Sequence, residues 1–162
     1  MYTRWSKIIL LFSVAFFATL VAFNNIFDYQ SNFMFVSHVL SMDTTFADNN
    51  SMWRAIHSDT LAHFAFALII AVELLLAVLC WCAGFKLYRV RRNVNQFNLS
   101  KGLAVAALTL GIIFWFIGFM VIGGEWFLMW QSHIWNGQEA AFRFTTILGI
   151  ILVFLVMPDV DN

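Results

Sequence analysis

One proline and two cysteines are all that the 162 residues contain of either type, and only 11% of the chain is charged. With so little proline, long helices can run unbroken. A charged share well under the quarter or so typical of soluble domains excludes an ordinary water-soluble fold. Cys80 and Cys82 are too few for a disulfide scaffold, and C-W-C is neither a metal knuckle nor a redox C-x-x-C pair. Basic charge is not in excess, since nine Lys and Arg balance nine Asp and Glu. That removes the electrostatic footprint of a nucleic-acid binder. No G-x-S-x-G, H-E-x-x-H, phosphate loop or dinucleotide glycine fingerprint occurs, so no catalytic class is indicated.

What the chain has is apolar length: 62% of it is hydrophobic and 18% aromatic. The apolar residues gather into four runs at about 7–27, 58–83, 103–124 and 141–157, the last with an alternative start a turn earlier near Gln138. Each approaches the roughly 20 residues that a helix needs to cross a bilayer. Barrel strands would alternate apolar and polar residues, whereas "LLFSVAFFATLVAF" is apolar all round. The expected fold is therefore an all-α membrane protein, a single domain built as a four-transmembrane-helix bundle. Arg4 and Lys7 precede the first run, and Lys86, Arg89, Arg91, Arg92 and Lys101 lie between the second and third. Only Arg54 and Arg143 fall on the other side, so both termini are expected in the cytoplasm and residues of about 28–57 and 125–140 outside. The cysteines then lie near the cytoplasmic end of the second helix, where thiols stay reduced. The first run, long and with a poor cleavage site at Leu20 and Ala22, reads as an uncleaved helix rather than a secretory signal.

Between the first two runs, Phe33, Val36 and Leu40 recur at helical spacing and suggest a short surface helix in the first periplasmic loop. "DTTFADNN" reads as a turn-rich connection after it. Asn98 or Ser100 is expected to cap the third helix, and Ser58 or Asp59 the second. The basic residues Lys86, Arg89, Arg91 and Arg92 obey the orientation rule and also offer a contact for anionic lipid or a partner.

Glu73, in "LIIAVELLLAV", is the one charge deep within a run. An ionised carboxylate at the bilayer centre is costly, so such a group faces the bundle interior with a partner. Ala62, Phe66, Ile69, Ile70, Leu76, Ala77 and Cys80 share its face. Three roles are open for Glu73: a neutral hydrogen bond to Asn24, Thr109, Thr145 or another group at that depth; a proton relay or ligand site; or docking onto another membrane subunit.

The four histidines, His38, His57, His63 and His133, all fall on the expected outer side. Imidazole with thioether suits copper, and with carboxylate suits zinc or iron. His57 and His63 stand about 240° apart around a helix and would not converge, whereas Asp59 and His63 share a face and suit an orienting pair. If "EWFLMWQSHIW" is helical, Glu125, Met129 and His133 form one stripe and Trp126, Phe127, Trp130 and Ile134 another. The polar stripe offers metal or haem ligands. Trp126, Trp130 and Trp135 also suit a belt at the headgroup level, where the ring is apolar and its N–H is wet.

The stretches "NNIFDYQSNFMFVSHVLSMDTTF", "MWRAI" and "GGEWFLMWQSHIWNGQEAAFR" resemble those of a family of predicted small integral membrane proteins of bacteria, known only as a domain of unknown function. The resemblance runs from the first helix to the fourth. It implies an inner-membrane location and four helices, and no activity or cofactor. The residues themselves point first to a non-catalytic accessory or interaction subunit that contacts lipid and other membrane subunits. The alternative is a protein handling metal, haem or quinone at the periplasmic face through its histidines with Met129 or Glu125. A proton-coupled carrier using Glu73 is less favoured, because no repeat or proline-broken helix accompanies it.

Overall fold

The first apolar run forms α1 (Tyr2–Phe27) in the computed structural model, which describes residues 1–160. The helix is interrupted at Asp28 (φ −108°, ψ 52°), and α2 (Tyr29–Ser41) follows at once. The return helix α3 (Asp59–Val90) runs antiparallel to both, as the contacts along it show. Trp5 meets Tyr88, Phe12 meets Phe85, Asn25 meets Glu73 and Tyr29 meets Phe66. At the far end the Ile56 N–H donates to the Leu40 carbonyl at 2.8 Å. So α2 continues the path of α1 along α3. Phe33 and Val36 are buried and pack with Ala62 and Phe66 in a small core of their own.

Short α4 (Val94–Leu99) turns the chain into α5 (Gly102–Ile113). This helix widens without a break into a π-helical segment, Phe114–Trp126. After a loop, α6 (Gln138–Val156) completes the chain's helices. In the bundle α1 packs on α3, α3 on α5, α5 on α6, and α6 back on α1. No strand occurs among the described residues.

Four helices are long and apolar enough to cross a membrane: Tyr2–Phe27, Asp59–Val90, Val94–Trp126 and Gln138–Val156. The second and third overrun the apolar runs at their basic ends. Lys and Arg side chains can lie along a helix with their charge in water, so helix outlasts hydrophobicity there. Ala15, Ala18, Ala77, Cys80, Ala83, Ala104 and Ala107 are nearly or fully buried at the crossings, where small side chains let backbones approach. Gly84 and Gly111 extend the same logic: a Cβ on Gly84 would lie 2.5 Å from the Phe12 ring, and one on Gly111 2.8 Å from Leu148. Phe16, Phe64, Leu68 and Ile150 face outward and exposed, as lipid-facing residues do.

Ser58 caps α3 by accepting the Leu61 N–H, and Asn93 caps α4 by accepting that of Gln96. Neither Asn98 nor Ser100 caps the third membrane helix; α5 begins after Lys101 with no side-chain cap. Asn98 is occupied elsewhere, by the tail that follows α6.

That tail closes the end of the bundle where the first residues, the 91–101 connection and residues 157–160 meet, here called the terminal end. Lys7 Nζ donates to the Met157 carbonyl at 2.6 Å and to Asp159 Oδ2 at 2.8 Å. Lys101 Nζ reaches the same carboxylate oxygen and the same carbonyl, each at 2.7 Å. Asn98 completes the clasp, donating to the Asp159 carbonyl and accepting the Asp159 N–H, both at 3.0 Å. Arg4 Nη1 also donates, to the Arg91 carbonyl at 2.7 Å. Arg4, Lys7 and Lys101, basic residues flanking the apolar runs, are 3%, 1% and 6% exposed. They are internal because backbone carbonyls and a carboxylate are there to receive them.

Candidate functional site

Glu73 is 2% exposed. Asn25 Nδ2 donates to its Oε2 at 2.7 Å, so the partner is Asn25 rather than Asn24, Thr109 or Thr145. Asn25 falls two residues before the end of α1, on the side that meets α3, whereas the Asn24 carbonyl accepts the N–H of Asp28. Glu73 and Asn25 border a cavity of about 160 Å³ together with Asn32, Phe66, Trp115 and Phe119. Trp115 packs at a tilt against Phe144, 4.9 Å between centroids. Phe144 lies six residues into α6, about 9 Å from the start of that helix at 1.5 Å per residue. The Glu73 pair therefore lies inside the bundle of candidate spans, toward the end opposite the termini, called the distal end below.

Phe35, Val36, Ile69 and Phe119 line this polar cavity and also a larger one of about 280 Å³. The larger space is an almost wholly apolar cleft between α2, α3 and the π segment. The π segment gives the cleft its far wall. Backbone bonding there runs five residues back, continuing to the Phe127 N–H, which donates to the Ile122 carbonyl at 3.0 Å. Phe114 and Phe119, and Gly118 and Gly123, are likewise five apart, and all four line the cleft. A Cβ on Gly118 would meet nothing within 4 Å. Rare π geometry of this kind recurs at functional sites.

The distal cap is built differently from the expected stripes. "EWFLMWQSHIW" is not one helix: the π segment ends at Trp126, Leu128 turns left-handed (φ 52°), and only a short 3-10 turn, Met129–Gln131, follows. Ser132 then folds the chain back, its hydroxyl accepting the N–H groups of Ile134 (3.3 Å) and Trp135 (2.9 Å) and the hydroxyl of Thr44 (2.8 Å). Glu125, Met129 and His133 consequently do not align. Glu125 and His133 are exposed, whereas Met129 is buried, borders the apolar cleft and accepts the Gly137 N–H on sulfur at 3.4 Å.

The histidines are likewise separate. His38 Nδ1 lies 2.7 Å from Asp43 Oδ2, and its ring stacks on Trp135. His63 Nδ1 is paired with the Tyr29 hydroxyl at 2.8 Å rather than with Asp59, and its ring stacks on Phe33. His57 is exposed. Among the described residues, no three His, Cys, Asp or Glu side chains form a group that could hold a metal ion.

The tryptophans of the cap serve three different contacts. Trp126 packs edge-on against Trp53 and lies under the Arg54 guanidinium, Trp130 meets Phe46, and Trp135 covers His38. In the basic connection, Arg91 sits over the rings of Tyr88 and Trp5, while Lys86, Arg89 and Arg92 are exposed.

Asn25, Asn32, Trp115 and the cleft-lining glycines are members of the site that sequence reading does not pick out. A polar side chain at the end of an apolar run was the available signal for Asn25. Nothing in the sequence marks a π segment.

The family described as "Predicted small integral membrane protein (DUF2165)" matches residues 3–158. No curated protein and no solved structure matches the chain. The match covers nearly the whole chain, and the protein belongs to this family of integral membrane proteins.

Proposed function

We propose that this small integral membrane protein is a non-catalytic, ligand-holding accessory protein of the bacterial inner membrane, with both termini cytoplasmic. The carrying observation is the cleft of about 280 Å³ between α2, α3 and the π segment, close to the lower bound of small-molecule sites. Its apolar walls and membrane depth suit a lipophilic molecule. The clustering of basic residues at the terminal end supports the orientation, and Lys86, Arg89 and Arg92 there suit anionic lipid. Trp126 and Trp130, 47% and 45% exposed, suit the opposite interface.

The test is retention of a lipophile through purification in mild detergent, read by mass spectrometry of the intact protein. Gly118→Leu should place its side chain in the cleft without a clash and abolish retention, leaving the helical signal unchanged. Equal retention by both proteins would refute the cleft as the binding site.

A second reading, docking onto a larger membrane assembly, is favoured by the exposed aromatic pair Trp53 and Trp126 at the distal end. Comigration of native protein with stoichiometric larger subunits, lost in a Trp53→Ala/Trp126→Ala variant, is its expected signature. The metal and haem reading finds its residues dispersed. A carrier role for Glu73 gains nothing from its hydrogen bond to Asn25.

A further inference from the structure

The small polar cavity shares a wall with the apolar cleft, and the two together have the shape of a two-part ligand. We infer that the site takes a neutral lipophile of the quinone type, a flat carbonyl-bearing ring with an apolar tail. This rests on the cleft reading above and names the ligand class for it. The ring would lie in the cavity at Glu73, Asn25 and Trp115, and the tail in the cleft.

Three observations select this class. The polar end is walled by aromatic rings, Phe66, Trp115 and Phe119 among them, and aromatic faces accept a flat conjugated ring by stacking. Its polar groups suit a hydrogen-bond acceptor. Glu73 uses Oε2 to receive Asn25, which leaves its other oxygen, in the neutral acid, to donate a proton to a ligand carbonyl. Depth then discriminates. Trp115, on the same cavity, meets Phe144 about 9 Å inside the start of α6 at the helix rise, at a depth where charge is costly. A phospholipid keeps its phosphate at the interface and would have to bury it to reach Glu73, whereas an uncharged carbonyl ring incurs no such cost.

The experiment titrates the purified protein in mild detergent with a decyl-substituted benzoquinone, following tryptophan fluorescence. Saturable quenching is expected, largely lost in Trp115→Phe because that ring would adjoin the ligand. Glu73→Gln, which still has N–H groups to donate to a carbonyl, should bind within about threefold of the unaltered protein. Glu73→Leu should weaken binding at least about tenfold, and Gly118→Leu should abolish it. Binding unchanged in Glu73→Leu would overturn the assignment of the ring to this cavity, even if Gly118→Leu still abolished binding and so upheld the cleft. A protein that retains phospholipid in the cleft and is not quenched by the quinone overturns the ligand class alone. If neither ligand is held, and Gly118→Leu behaves as the unaltered protein, both readings fail.

Discussion

At the terminal end of the bundle two lysines and one aspartate are sealed from solvent, their side chains 8% exposed or less. At the distal end the pairs are open: His38 with Asp43 at 31% and 44%, and Arg143 with Glu139 at 66% and 80%. The difference is one of cost. An exposed pair exchanges water for a partner and gains little. A buried group of charges is stable only while every member is present, because removing one leaves the others desolvated and unpaired. The terminal end is thus held by charge, and the distal end by aromatic stacking and backbone turns around Ser132 and Leu128.

The largest expected effect follows from breaking the clasp. Asp159→Leu should destabilise the protein by about 3–5 kcal/mol, read as a fall in thermal midpoint by circular dichroism in detergent. Replacing Lys7 and Lys101 by Met in the same chain should recover much of the loss, since an apolar set of similar volume is often as stable as buried ions. Failure of that recovery would mean that the lysine bonds to the Met157 carbonyl, not the charge pairing, hold the tail.

Acid should act on the same end. Burial works to raise the Asp159 pKa, but the hydrogen bonds and charges of Lys101 and Lys7 outweigh it and hold the carboxyl below its ordinary 3.8. The unfolded chain therefore takes up the proton first, so this contribution is complete above pH 3.8 and disappears as pH falls through the lower folded value. A thermal midpoint that falls with acid in the unaltered protein, and falls less in Asp159→Leu, would display it.

At the distal end Ser132→Ala should cost about 1–3 kcal/mol by leaving backbone N–H groups without an acceptor. Faster amide exchange confined to residues 132–135 would locate the effect. The smallest change belongs to Asp43→Asn, about 0–1 kcal/mol for an exposed pair. A cost equal to that of Ser132→Ala would erase the contrast drawn between stacking and charge at this end.

The four candidate spans, a short helix at Phe33 and Val36, and the inward placement of Glu73 beside a polar partner could be read from apolar runs and one misplaced carboxylate, because those signals are local. The clasp could not. Counting Lys7 and Lys101 locates them at one end, but their burial depends on Asp159, 152 residues along the chain from Lys7 and 58 from Lys101. The best hint was composition: among the described residues, Asp159 is the acidic residue that shares the basic end. The cap failed for a different reason. Periodicity in "EWFLMWQSHIW" matches a helix, yet Leu128 takes a left-handed conformation that L-residues adopt at a cost of about 1–2 kcal/mol. That cost is offset by tertiary contacts invisible to spacing, such as burial of its neighbours Phe127 and Met129.

The clasp also has an order in time. A ribosome makes Lys7 first, Lys101 later and Asp159 last of the three, so the two amines exist well before their carboxylate does. Until the end of α6 emerges, the first and third spans are held together at that end by nothing that answers their charge. Closure of this end is thereby tied to the making of α6 and the residues after it, and a variant cut before Asp159 would leave both ammonium groups to find water or lipid phosphate instead.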